Sequence, residues 1–316
     1  MGVRAIALAV AALAVTAFSA HAQDVVKLTV GQRGNWDTAV AHIGEKAGIF
    51  KKHGIALDVT YTSGSGETLQ PVIAGSVDVG IAVGTMGALA AYAKGAPVRI
   101  IGAEATGAAD YWYAKADSGI KSLKDTDGKT IAFSTKGSST NSIVLAFIKE
   151  FNLKATPTAT GNPPSTLTAV MTNQVDVGWA APPFGLKEID EGKIRLIARA
   201  TDASIVKGQT IRVIVTTKDV MNTRKDVLNR FMQAYGEAVN YMYSGDDAIK
   251  EFAEFNKIPE AMARRVRDEF FPKEMVWPGE LKGLDTLLPE AVAMKFIPEP
   301  LTPQQQAELV QILLRK

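Results

Sequence analysis

The stretch TLQPVIAGSVDVGIAVGTMG, Thr68–Gly87, returns 98 residues later without a gap as TLTAVMTNQVDVGWAAPPFG, Thr166–Gly185. Nine of the twenty positions carry the same residue, among them Thr68/Thr166, Asp78/Asp176 and Gly80/Gly178. At usages of roughly 5–8% per residue type, chance gives one or two matches. Each copy reads as a short amphipathic helix, a turn and the apolar run VDVGIA or VDVGWA. Two such α/β units in one chain predict two similar lobes, with a ligand site in the cleft between them.

Working outward, apolar strands alternate with helical stretches from Val25 to about Thr217. Strands are expected at Val26–Gly31, Ala56–Tyr61, Val77–Val83, Val98–Ala103, Tyr111–Ala114, Thr130–Ser134, Val175–Ala180, Ile194–Ala198 and Ile211–Thr216. The alternation predicts mainly parallel sheets with helices on both faces. Beyond Thr217 only helical patterns remain, and they read as packing. If the middle segment forms its own lobe, lobe one comprises 25–116 and 205–316, and lobe two 117–204.

Residues 1–22 read as a leader rather than as part of the fold. Arg4 precedes an almost wholly apolar run, Ala5 to Phe18, and Ala20-His21-Ala22 gives a small-residue cleavage pattern. Fourteen apolar residues are too few to span ~30 Å of hydrocarbon, which takes roughly 20. A cleaved signal peptide, with cleavage after Ala22, places the mature protein in the periplasm. Removing Arg4 from 35 basic residues leaves 34 against 33 acidic ones. That balance gives no electrostatic case for nucleic acid or an anionic membrane. The chain has no cysteine, which excludes disulfides, thiol catalysis and cysteine metal sites.

Catalytic motifs fail on inspection. His42-x-x-Glu45 lacks a third metal ligand. Gly128-Lys129-Thr130 resembles the end of a phosphate loop, but its first glycine position holds Leu123 and a strand follows. Ser118-x-x-Lys121 has none of the companion motifs of a serine acylase. No catalytic residue, metal ligand or cofactor is therefore assigned.

Ligands of open α/β sheets sit beyond the carboxyl ends of the strands. The loops there supply Arg33, Asn35 and Trp36; Ser63, Gly64 and Ser65; Gly84 and Thr85; Gly137, Ser138, Ser139 and Thr140; and Pro182 and Phe184. Several place Gly, Ser or Thr just before a helix, where free N–H groups and the helix dipole suit an anion. The same residues also serve as ordinary caps. Arg33 adds a positive charge, and Trp36 and Phe184 offer aromatic walls. Trp112 fits cleft or core, and Trp179, inside the repeat strand, is read first as core. None of these loops offers a carboxylate. Asp78 and Asp176, at the amino ends of their strands, are read as turn-stabilising.

GIFKKHGIALDV (Gly48–Val59), TSGSGETLQPVIAGSVDVG (Thr62–Gly80), GAPVRIIG (Gly95–Gly102), SLKDTDGKTIAFSTKGSST (Ser122–Thr140) and NQVDVGWAAPPF (Asn173–Phe184) together resemble the nitrate/taurine/alkanesulfonate family of periplasmic binding proteins of ABC importers. The resemblance implies a type II bilobal fold that closes on its ligand and delivers it to a membrane permease and ATPase. A monomer is expected. The ligand implied is a small organic anion, a sulfonate or carboxylate. Nitrate, bicarbonate and pyrimidine precursors are the alternatives within the family. A related enzyme of thiamine-pyrimidine synthesis is the rival outside it, although such enzymes rely on a cysteine-rich motif.

Overall fold

The computed structural model describes residues 23–314, so the expected leader and its cleavage site lie outside the described residues. The strands are β1 (Asp24–Gly31), β2 (Ile55–Thr62), β3 (Val79–Gly84), β4 (Val98–Thr106), β5 (Tyr111–Lys115), β6 (Thr130–Phe133), β7 (Thr156–Ala159), β8 (Val177–Ala180), β9 (Ile194–Arg199) and β10 (Thr210–Thr217). They form two five-stranded sheets, ordered β2-β1-β3-β10-β4 and β7-β6-β8-β5-β9. Both sheets follow one plan. Three parallel strands are followed by an antiparallel one, β10 in the first and β5 in the second. Each antiparallel strand begins just after the chain enters its sheet from the other, and that entry sets its direction.

The crossings lie at 107–110 and 200–209. The first is earlier than the sequence reading put it, because Tyr111–Lys115 pairs with β8 and β9 in the second sheet. An apolar run such as YWYA suits either sheet, so periodicity alone does not place it. Strand β7 is a strand that the apolar pattern does not announce. Its TPTA is mostly exposed and lies at a sheet edge, where proline and threonine are tolerated.

The repeat is a repeat of bonding. Thr68 Oγ1 donates to the Gly64 carbonyl at 3.0 Å and meets Thr62 Oγ1 at 2.7 Å. In the second copy Thr166 Oγ1 donates to the Asn162 carbonyl at 3.0 Å and meets Thr160 Oγ1 at 2.6 Å. Asp78 accepts from the Lys27 N–H on β1, and Asp176 accepts from the Thr130 N–H on β6, both at 2.9 Å. These aspartates thus tie β3 and β8 to the first parallel strand of each sheet, which is why each strand starts one residue after them. Glycine follows because of crowding. A Cβ at Gly178 would lie 2.6 Å from the Tyr113 ring, and one at Gly80 would lie 2.9 Å from Val72.

The C-terminal helices pack on the first sheet. The helix Lys225–Met242 buries Leu228, Phe231, Met232 and Tyr235, and its neighbour Asp247–Asn256 buries Ile249 and Phe252. Burying side chains of this size contributes about 1.5–3 kcal/mol each.

Candidate functional site

A chamber of about 310 Å³, counting its open mouth, lies where the carboxyl ends of strands from both sheets converge. The first sheet and its loops contribute Gly31, Gln32, Asn35, Thr38, Gly64, Ser65 and Ala82; the second contributes Ser134, Ser138, Ser139, Thr140 and Trp179. Asp110, in the first crossing, and Arg212, on β10, complete the wall. Two helices start here, Ser65–Ile73 from the first lobe and Ser139–Glu150 from the second. Ser138 caps the latter, its Oγ accepting from the Asn141 N–H at 3.1 Å. Thr140 Oγ1 gathers the Ser134 N–H at 2.9 Å, Ser134 Oγ at 3.0 Å and Ser138 Oγ at 2.9 Å.

Asn35, Gly64, Ser65, Ser138, Ser139 and Thr140, all expected from the sequence, line this chamber. Arg33, Trp36, Ser63, Gly84, Thr85, Gly137, Pro182 and Phe184 do not line it. Arg33 is exposed; it donates to the Phe255 carbonyl at 3.1 Å and lies 3.9 Å over that residue's ring. Trp36 is fully buried, its indole donating to Tyr243 Oη at 3.0 Å and its ring set edge-on against Phe252. The aromatic wall expected of Trp36 is therefore core. The Ser63 N–H is engaged by Glu67 at 2.9 Å, and Thr85 Oγ1 donates to the Thr210 carbonyl at 2.7 Å. Pro182 is buried, and Phe184 packs against Gly34 across the lobes.

Gly84 and Gly137 are where the lobes touch. A Cβ built on Gly84 would lie 2.6 Å from the Gly137 carbonyl oxygen and 2.9 Å from the Ser139 nitrogen. The Gly66 N–H donates across the same seam to Thr135 Oγ1 at 3.2 Å. Farther out, Lys149 meets Glu290 at 3.1 Å and Arg265 meets Asp190 at 3.0 Å. Exposed pairs of this kind contribute little, about 0–1 kcal/mol.

The two remaining tryptophans part ways. Trp112 donates to the Ala132 carbonyl at 2.8 Å inside the second lobe's core, whereas Trp179 lines the chamber.

Sequence reasoning missed Arg212 and its partners. The guanidinium donates to Glu104 through Nε at 3.0 Å and to Asp110 through Nη1 at 3.1 Å, with Asp37 on Nη2. Nη1 also reaches Ser139 Oγ at 3.4 Å, at the start of a second-lobe helix. All four charged side chains are buried. One cation among three carboxylates has no charge to spare for a ligand. Asp110, moreover, puts a carboxylate in the chamber wall, correcting the expectation that the cleft has none. A signal was present, since Arg212 is the only charged residue in TIRVIVTT and Glu104 the only acid in VRIIGAEAT. A charge in a buried strand demands a partner.

Burial, with the nearby Asp37 charge, pushes the Glu104 carboxyl up to about 8 from its ordinary 4.5. Burial likewise raises Asp110. Between pH ~4.5 and ~8 the folded protein thus holds a proton at Glu104 that the unfolded chain has released. Stability from this group falls as pH rises through that window. Urea midpoints measured across it should decline with pH, and Glu104→Gln should flatten the decline. A variant that keeps the full slope would assign it to other groups.

A family model described as NMT1/THI5 like matches residues 35–248. No curated protein matches the chain in sequence. Among solved structures, the alkanesulfonate-binding protein SsuA from Xanthomonas axonopodis pv. citri, bound to MOPS, is 19% identical with a TM-score of 0.73, covering 92% of this chain and 99% of that one. The periplasmic nitrate-binding protein NrtA from Synechocystis PCC 6803 is 13% identical with a TM-score of 0.71, covering 91% and 85%. A Candida albicans protein described as having the generic periplasmic binding protein fold is 15% identical with a TM-score of 0.71, covering 91% and 96%. These likenesses establish the bilobal fold.

Proposed function

The chain belongs to the NMT1/THI5-like family, and from that premise we propose that it is the exported, periplasmic solute-binding component of an ABC importer. It closes two lobes on a small organic anion, a sulfonate or carboxylate, and presents it to a membrane permease and its ATPase. The observation that carries this reading is the chamber itself. It sits at the carboxyl ends of both sheets' strands, with the starts of Ser65–Ile73 and Ser139–Glu150 opening into it from opposite lobes. Unpaired N–H groups and the positive ends of two helix dipoles stabilise an anionic head without a formal cation. A water occupies ≈ 30 Å³ in the liquid, so a space of about 310 Å³ suits a solute of on the order of ten heavy atoms.

A thermal-shift screen of sulfonates, carboxylates, nitrate, bicarbonate and pyrimidines tests the reading. An anion at ~100 times its Kd should stabilise the protein by about 2.7 kcal/mol. Stabilisation by neutral or cationic compounds alone contradicts the anion assignment. One observation favours a second reading, a pyrimidine precursor: the Asp110 carboxylate in the wall suits ring or exocyclic N–H groups. The screen separates the two.

Arg33→Ala should leave affinity within about twofold, since exposed substitutions away from special features stay within about 0.5 kcal/mol. Titration calorimetry checks this. A tenfold loss would return Arg33 to the site.

A further inference from the structure

We propose that the solute carries, beside its anionic group, an N–H or O–H donor, and that Trp179 and Asn35 read its acceptor and its donor from opposite lobes. This rests on the chamber being the solute site. Most of its polar side chains already have partners: Ser134, Ser138 and Thr140 share one another's hydroxyls, Ser65 Oγ accepts from the Gly84 N–H, and Arg212 is held by three carboxylates. Two buried side chains are different. Trp179 is 1% exposed and its Nε1 has no hydrogen-bond partner among the described residues; Asn35 is 3% exposed and its Oδ1 has none either. Gln32 Oε1 beside it is equally unpaired, while its Nε2 donates to the Ser63 carbonyl.

Orphaned buried polar groups are rare because each forfeits its solvation without return. Here they face one chamber, Trp179 from β8 of the second sheet and Asn35 and Gln32 from the loop after β1 of the first. The repeat sharpens the point. The counterpart of Trp179 in the first copy is Ile81, 1% exposed and packed in the core. Only the second copy replaces the aliphatic residue with one that brings an N–H to the cleft.

The chemistry of the solute follows from what each group is able to do. An indole only donates, so a solute oxygen must face Trp179. The acceptor oxygens of Asn35 and Gln32, with the Asp110 carboxylate in the same wall, call for a donor on the solute. A plain alkyl sulfonate or nitrate satisfies only the first requirement. An amino- or hydroxy-substituted small acid satisfies both, and in doing so bonds to both lobes.

Titration calorimetry on the purified protein with matched pairs tests this: ethanesulfonate against its 2-hydroxy and 2-amino derivatives, and acetate against glycolate and glycine. The donor-bearing member should bind at least about tenfold tighter, because its analogue leaves buried acceptors unpaired. In Asn35→Ala that preference should collapse while both members still bind. In Trp179→Phe, which keeps an aromatic ring but loses the N–H, both members should weaken together by about tenfold. Circular dichroism checks that each variant folds, and the Asn35 variant carries the discrimination test if the Trp179 variant does not. If plain anions bind as tightly as their substituted partners, this inference is overturned while the anion reading stands. If no member of any pair binds, both fall together.

Discussion

Replacing Arg212 with methionine should lower the melting temperature by on the order of 10 °C. Asp37, Glu104 and Asp110 are 0%, 1% and 2% exposed, and Arg212 is the cation that all three contact. Removing one partner of a buried ion pair costs about 3–5 kcal/mol, because the charge left behind has neither water nor a counter-ion. In a protein of this size each kcal/mol moves the midpoint by about 2–4 °C. The deficit should narrow in acid, where the orphaned carboxylates take up protons and their uncompensated charge disappears. Differential scanning calorimetry of both proteins at neutral and acidic pH checks it. A variant melting within about 2 °C of the parent would show that the carboxylates are not held ionised by the arginine.

The second large effect concerns closure. Gly84→Ala should weaken solute binding by about five- to 150-fold while leaving the empty protein's melting temperature unchanged. Gly84 has φ −59° and ψ 129°, which alanine adopts freely, so the first lobe itself bears no strain. The added Cβ would lie 2.6 Å from the Gly137 carbonyl oxygen and 2.9 Å from Ser138 and Ser139 backbone atoms of the other lobe. Those neighbours are main chain at a helix start, so they yield only if the lobes part. A close-packed contact forced open costs about 1–3 kcal/mol, and that penalty falls on the closed state alone. Titration calorimetry with the solute found in the screen measures the loss. Unchanged affinity would mean that the Gly84–Gly137 contact is not part of the binding-competent state.

The doubled architecture was legible because the second copy preserves the bonding residues as well as the apolar pattern: threonine on the helix, aspartate before the strand, glycine within it. Strand direction was less legible. Strands β5 and β10 run antiparallel because of how the chain enters each sheet, and nothing in YWYAK or TIRVIVTT announces that. The loops around the cleft were placed well by the rule that ligands lie beyond strand carboxyl ends. Which side chains those loops turn inward was not, because distant residues decide it. Phe255 draws Arg33 outward from 222 residues away, and Tyr243 and Phe252 take Trp36 into the core. The C-terminal helices, read as packing, thus select which loop residues remain free for the chamber. Arg212 escaped notice because its strand reads as purely structural, although a lone arginine there already implies buried acids. Trp179 shows the same limit. An indole in an apolar strand reads as core until the structure shows that its N–H has no partner.

Closure of two lobes around a solute is tested most directly by solution X-ray scattering of the purified protein, recorded without solute and at saturation with the anion that stabilises it best. The radius of gyration should fall on saturation as the Gly84–Gly137 seam closes over the chamber. A bound anion that leaves the radius unchanged would contradict binding by lobe closure.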